Sequence, residues 1–258
     1  MSRADCVSAL ALTPAQAGML FHSQLAPRAG FYIQQIVVGL REPLNGVLHS
    51  AWYEILSRYS VLRTSFHLEA DHAEQVVHDR VTMPVVELDW TNLCAAEQEL
   101  ELRRFLAEDR ARGFDPAIAP LSRLALIRRG ERDSLMVWTF HHALLDGRSH
   151  RLVLEDLFHT YDQLRRTLPP SNDRYSRPFE EHLDWLVRRD LTEAERHWRS
   201  LLAGFTTPVP FPAVIGPRPD ESPDWSTRSC SMPIDELRGF ARRQDVTLAT
   251  IIHAAVRQ

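Results

Sequence analysis

The stretch Ser134-Leu135-Met136-Val137-Trp138-Thr139-Phe140-His141-His142-Ala143-Leu144-Leu145-Asp146-Gly147 decides how the rest of the chain reads. Its first seven residues are apolar and rich in β-formers, which predicts a buried strand over 134–140. Beyond Gly147, the residues Leu152, Leu154, Leu157, Phe158, Tyr161 and Leu164 recur at helical spacing and predict a helix over 148–166. Two histidines, an aspartate and a glycine thus fall at a strand-to-helix crossing. A strand end holds an imidazole rigidly, and glycine lets the backbone turn or approach another group closely.

On the N-terminal side, a run over 121–128 pairs with 134–140 as a hairpin, with Gly130 and polar residues between them. Further upstream, Thr13 and Pro14 open a helix as N-cap and first helical residue, with Ala17, Leu20, Phe21 and Leu25 as its apolar stripe. A strand over 31–40, a helix over 44–59 and a strand over 61–68 follow. Short strands are predicted at 73–78 and 85–88, then a charged helix capped by Thr91 or Asn92 and running to 111. On the C-terminal side, 168–178 reads as a linker by its proline and polar content. Helices at 179–189 and 193–203 are expected to be anchored in a core by Trp185 and Trp198. A proline-rich segment over 206–223, a strand over 227–232 and helices at 234–243 and 248–257 complete the chain. Strands mixed with helices and joined by hairpins predict an α+β layered fold rather than a regular βαβ winding.

Composition narrows the function classes. The 258 residues are long enough for one large domain or two lobes, and 44% hydrophobic with 25% charged residues is ordinary for a globular protein. A net charge of -4 gives no reason to expect a nucleic-acid partner. No stretch approaches transmembrane length and no signal peptide is evident, so no membrane association and a cytoplasmic location are expected. Cys6, Cys94 and Cys230 are too far apart to suggest a zinc cluster or a disulfide framework. All 30 basic residues are arginine, which excludes a Walker phosphate loop, a pyridoxal Schiff base and a lysine nucleophile within the chain.

The residues at the crossing have chemistry of their own. An imidazole is a general base near neutral pH because its unperturbed pKa is about 6.5. His142 is the candidate, to deprotonate or align an amine or hydroxyl attacking a carbonyl. By strand alternation His141 points to the opposite face. Asp146 is placed to orient the imidazole or to pair with an arginine, and Gly147 to bring a backbone amide beside the reacting carbonyl. A metal site is a rival use of His and Asp, but adjacent strand histidines diverge and do not share one ion easily.

The sequence His141-His142-Ala143-Leu144-Leu145-Asp146-Gly147 resembles the HHxxxDG signature of condensation domains of nonribosomal peptide synthetases, which is shared with chloramphenicol-acetyltransferase-like enzymes. Three further stretches resemble the same family in order. Residues 12–25 are similar to its opening helix. Residues 58–66 are similar to its RHxxLRTxF segment, with Tyr59 in place of the usual histidine. Residues 179–205 are similar to the start of its second lobe. The resemblance implies an acetyltransferase-like N-terminal lobe over 1–168, a linker over 169–178 and a partial second lobe over 179–258. It implies an active-site tunnel between two lobes, where a carrier-bound acceptor amine attacks a carrier-bound acyl or peptidyl thioester. His142 is then the active-site histidine, with His141 as its structural neighbour. Asp146 is a strut paired to Arg58 or Arg63, and Gly147 lies beside the reacting carbonyl. The implied partners are donor and acceptor peptidyl carrier proteins and adjacent synthetase domains. No cofactor is held directly, and substrates arrive on phosphopantetheine arms.

Arg148 departs from the apolar residue common after Asp-Gly in the family, which is expected to alter the tunnel. The apolar helix at 248–257 suggests a chain interrupted within the second lobe. Three other readings remain at this point. One is a non-catalytic lobe that docks a carrier protein. Another is a related epimerisation or ester-forming domain. The last is a glycerolipid-type acyltransferase, from the HxxxxD spacing of His141 and Asp146.

Overall fold

The computed structural model describes residues 6–42, 46–69, 72–171, 178–207 and 233–256, and the chain divides into two compact units, 1–213 and 214–258. The predicted strand at 227–232 lies outside the described residues, as do residues 172–177 of the predicted linker and most of the proline-rich segment.

In the first unit the elements run β1 (Cys6–Ala11), α1 (Pro14–Leu25), β2 (Ile33–Leu40), α2 (Gly46–Arg58), a 3-10 turn (Ser60–Arg63), β3 (Thr64–Glu69), β4 (His72–His78) and β5 (Val85–Asp89). They continue with α3 (Ala95–Arg112), β6 (Ser122–Arg128), β7 (Ser134–His141), α4 (Ser149–Arg165), α5 (Phe179–Val187) and α6 (Thr192–Leu201). The described residues of the second unit form α7 (Ile234–Arg243) and α8 (Leu248–Val256). Among the described residues no helix is long and apolar enough to cross a membrane.

Strand β7 is the axis of the first unit. It is central in the sheet β2-β7-β6-β5, antiparallel to both neighbours, while β6 and β5 run parallel. All eight of its residues are buried, so both sheet faces are covered, as an almost uninterrupted apolar strand requires. Met136, Trp138 and Phe140 project into a core shared with Trp52 and Ile55 of α2 and Leu157 of α4. Trp138 sits 5.0 Å from the Trp52 ring and 4.5 Å from that of Phe140, and its indole N–H donates to Ser122 Oγ at 2.8 Å. Leu135 and Val137 face the other way, onto Trp90 and Leu102, Phe105 and Leu106 of α3. The period-two alternation of a strand thus builds a separate core on each face.

On the α3 face a buried ion pair closes the packing. Asp109 accepts from Arg123 Nε at 2.6 Å, Thr139 Oγ1 at 2.7 Å and Gln35 Nε2 at 3.0 Å, tying α3 to three strands. Burial works to raise the Asp109 carboxyl, but these bonds and the Arg123 charge outweigh it and hold the group below its ordinary range.

The α+β class, the β6–β7 hairpin and the α4 helix agree with expectation. Strand β1, unanticipated among small residues, pairs with β4 in a second, antiparallel sheet ordered β1-β4-β3. The strand expected from 61 begins only at Thr64. Before it the Leu62 N–H donates to the Tyr59 carbonyl and Thr64 Oγ1 to the Ser60 carbonyl, closing a tight turn. Helix α3 is capped by Cys94, whose N–H donates to Glu97 Oε2 at 2.8 Å. Thr91 is instead engaged with Asp89, to which both its N–H and hydroxyl donate. Phe21 and Leu25 are exposed on α1, and the buried positions of that helix are Gln16 and Leu20. Trp185 and Trp198 are not core anchors in this chain. They stand 52% and 55% exposed on helices whose only buried residue is Leu183, and Arg189 lies over the Trp185 ring.

Candidate active site

The last residue of β7 and the turn after it assemble the site. His141 continues the alternation of the strand and is buried, 1% exposed, on the side that carries Thr139. Its Nε2 lies 2.9 Å from Ser23 Oγ of α1, and its Nδ1 accepts the Ala143 N–H at 3.1 Å. Loss of water around the ring, and to a lesser degree the neighbouring His142, lowers its pKa to about 4. His141 is therefore neutral wherever an imidazole base is useful.

His142 turns the other way and borders a cavity of about 980 Å³. Its backbone N–H donates to the Tyr32 carbonyl at 2.7 Å, which extends the β2–β7 pairing by one residue. Its Nδ1 lies 2.6 Å from the Leu145 carbonyl. A carbonyl only accepts, so Nδ1 carries the proton and Nε2 keeps its lone pair. The bend back to Leu145 is closed by Leu144 N–H donating to the His141 carbonyl at 3.0 Å. It is buttressed by Gln16 of α1, whose Nε2 donates to the Ala143 carbonyl at 3.1 Å.

Gln16 joins the site to the second sheet. Its side chain accepts from Thr13 N–H in a reciprocal capping box, and its Nε2 lies 3.3 Å from Gln75 Oε1 of β4. Neither Gln16 nor Ser23 is among the residues named from the sequence; the Thr13-to-Gln16 spacing of a capping box could have pointed to Gln16, and nothing comparable marks Ser23.

Asp146 is not an arginine-bound strut. One carboxylate oxygen accepts from Arg148 N–H at 3.1 Å, Ser149 N–H at 2.7 Å and Ser149 Oγ at 2.6 Å, and the Asp146 carbonyl accepts the His150 N–H. Asp146 thus acts as a capping carboxylate from the turn just ahead of α4, satisfying N–H groups that have no partner within the helix, and Gly147 lies in that turn. The bonds from Ser149 are the main reason that the Asp146 carboxyl lies below its usual range. Gly147 makes no close approach within the chain: it is exposed, and a Cβ built there meets nothing within 4 Å. Arg148 is exposed at the same helix start.

The two arginines go elsewhere. Arg58, at the end of α2, pairs with Asp156 of α4, the two side chains 5% and 2% exposed, and the Tyr59 hydroxyl donates to the same Asp156 oxygen at 3.2 Å. Tyr59, the residue that departs from the family pattern, thus completes this pair. All three residues border the cavity. Arg63 gathers backbone carbonyls instead, donating to Leu56 at 2.9 Å, to Asp79 at 2.9 Å and to His78. It ties the 3-10 turn to the end of β4 and does not border the cavity.

The cavity is walled by the start of α1, the turn at 142–146, one face of α4 and one face of α5, with Met19, Val61, Leu145, Val153 and Trp185 among its apolar residues. Its volume suits an organic substrate, and its mostly apolar wall carries two imidazoles, His142 and His182, of which His142 is fixed by the strand-end turn with Nε2 unprotonated.

Residues 8–257 match the family model described as Condensation domain. The chain is 38% identical over 251 residues to a linear gramicidin synthase polypeptide of Brevibacillus parabrevis, a match that covers 95% of this chain and 5% of that protein. It is 32% identical to surfactin synthase subunit 3 of Bacillus subtilis, over 94% of this chain and 19% of that one. The chain therefore spans a small part of the length of these relatives. Among solved structures, it is similar to the starter condensation domain of rhizomide synthetase, with a TM-score of 0.68 at 18% identity, covering 78% of this chain and 49% of that one.

Proposed function

The chain belongs to the condensation-domain family, and from that premise we propose that it joins an acceptor amine to an acyl or peptidyl thioester in nonribosomal peptide synthesis. In this reading the donor acyl group is linked through sulfur to the phosphopantetheine arm of one carrier protein, and the aminoacyl acceptor is carried on another. The acceptor nitrogen attacks the thioester carbon. His142 Nε2 takes the proton that the nitrogen sheds, the C–N bond forms, the C–S bond breaks, and the departing thiolate recovers a proton from the imidazolium. No metal or redox partner enters that balance.

The observation that carries the reading is the bond from His142 Nδ1 to the Leu145 carbonyl, which leaves Nε2 basic at the edge of the cavity. His141 is the structural neighbour, Asp146 the helix cap that sets the turn, and Gly147 the open side from which the donor carbonyl approaches. Arg58 supports the cavity wall through Asp156, and Arg63 supports the turn before β3. The lobe carrying the motif is 1–168, the linker 169–178, and the residues from 179 onward belong to the second lobe. The partners are the carrier proteins and the adjacent synthetase domains, in the cytoplasm.

The test loads donor and acceptor onto their carriers and follows amide product by mass spectrometry, with the synthetase that contains this chain and its His142→Ala form. General-base help of this kind contributes about 10²-fold or more, and the variant is expected to lose that much. Equal rates from the two proteins would overturn the assignment of His142.

A further inference from the structure

We propose that Ser23, on α1, is a positioning residue that sets the tautomer of His141 and through it the turn that holds the His142 base. The inference rests on the reading of His142 given above, but its first observable is independent of any activity.

The proton count is closed by the neighbours. The Ser23 hydroxyl has one proton and donates it to the Met19 carbonyl at 3.0 Å, one helical turn earlier. At 2.9 Å from His141 Nε2, Ser23 Oγ is left to accept, so Nε2 carries the hydrogen. The opposite nitrogen gives the same answer. His141 Nδ1 faces the Ala143 N–H at 3.1 Å, and a backbone N–H requires an acceptor there. Two independent partners on two elements demand one tautomer, Nε2–H, in a ring that burial keeps uncharged.

That tautomer matters because of what Ala143 holds. Its N–H is tied to His141 and its carbonyl to Gln16, so this single peptide segment is gripped from the strand and from α1. The same bend brings the Leu145 carbonyl to His142 Nδ1. If Ser23 Oγ is removed, the Nε2–H loses its acceptor in a buried place, and the alternative Nδ1–H tautomer meets the Ala143 N–H donor to donor. Either outcome loosens the segment that aims His142.

A second feature supports a site held under constraint. Tyr32 is a non-glycine residue at φ 60°, a conformation that L residues rarely adopt. Its carbonyl accepts the His142 N–H, its hydroxyl lies 3.0 Å from His22 Nδ1, and its ring stands 6.5 Å from that of His141. Ser23 and His22 are adjacent on α1, so one helical turn contacts His141 through a hydroxyl and Tyr32 through an imidazole.

The experiment uses Ser23→Ala and Ser23→Thr. Long-range 15N–1H spectra of this chain read the His141 ring: the parent and Ser23→Thr are expected to show the Nε2–H pattern, and Ser23→Ala a mixture of tautomers. In the carrier-to-carrier assay with the parent synthetase, Ser23→Ala is expected to lower kcat about tenfold with KM for both carriers within about twofold, and Ser23→Thr to restore it. A Ser23→Ala protein with an unchanged His141 pattern overturns the proposal, as does a folded Ser23→Thr protein that stays slow. If His142→Ala proves as fast as the parent, the base reading fails while the tautomer result still stands or falls on the spectra.

Discussion

His142 Nδ1 lies 2.6 Å from the carbonyl oxygen of Leu145, three residues further along the chain. One short bond fixes both which nitrogen is basic and how far the ring can turn, and the first prediction separates those two effects. Asn at position 142 offers an amide N–H to Leu145 but has no basic nitrogen, whereas Ala offers neither. Both variants are expected to lose amide formation by about 10²-fold or more. His142→Asn is expected to unfold within about 2 °C of the parent, read by circular dichroism. An Asn variant with substantial rate would show that His142 acts by hydrogen bonding rather than as a base.

Asp146 is expected to behave as a helix cap. Asp146→Ala should lower stability by about 1 kcal/mol in urea unfolding and Asp146→Asn by less, because Asn still accepts from the Ser149 N–H. The pH sign follows from a carboxyl whose folded pKa is depressed. Its contribution is fully present above the unfolded carboxylate value and fades as pH falls through the lower, folded one. A strut role would instead make both substitutions equally costly.

The Arg58–Asp156 pair is expected to show strong coupling. Removing Arg58 alone, as Arg58→Met, leaves a carboxylate that is 2% exposed without its cation and should cost about 3–5 kcal/mol. Arg58→Met combined with Asp156→Leu should cost clearly less than the sum of the single changes. Tyr59→Phe, which takes one hydroxyl from the same oxygen, should cost about 1 kcal/mol. Additive losses in the cycle would mean that the two side chains do not depend on each other.

His141 gives the fold an acid-side weakness. Its folded pKa of about 4 lies below the ordinary histidine value, so between the two the unfolded chain takes up a proton that the folded chain refuses. Stability is therefore complete above the unfolded value and falls as pH drops toward 4, by roughly 3 kcal/mol over that window. The check is the pH dependence of urea unfolding for the parent against His141→Gln, in which this part of the slope should disappear. Parallel profiles would show that His141 is solvated enough to ionise in the folded state.

Much of this architecture was legible in the sequence where one physical rule dominates. The nearly continuous apolar run at 134–140 marked a buried strand, and the alternation at its end separated His141 from His142. The spacing of Leu157, Tyr161 and Leu164 marked α4. What escaped was decided by partners distant in the chain. Arg58 finds a carboxylate 98 residues away on α4 rather than the one in the motif, and no local pattern distinguishes Asp156 from Asp146. Gln16 and Ser23 look like ordinary polar helix residues until the strand end folds against them. Trp185 and Trp198 show the converse: large aromatics at helical spacing predict burial, yet α5 and α6 leave both half exposed.

The two bonds from α1, Gln16 to the Ala143 carbonyl and Ser23 to the His141 ring, bear on how such proteins are recombined. The heptapeptide at 141–147 is not a portable cassette, because two of its hydrogen-bond partners are encoded more than a hundred residues upstream. A crossover placed between residues 32 and 134 joins an opening helix from one parent to a motif from another. Wherever the parents differ at positions 16 or 23, such hybrids inherit a mismatched cradle around an unaltered histidine. Breakpoints before residue 13 or after residue 165 keep helix and motif from one source, and libraries built on those borders should yield the larger share of working hybrids.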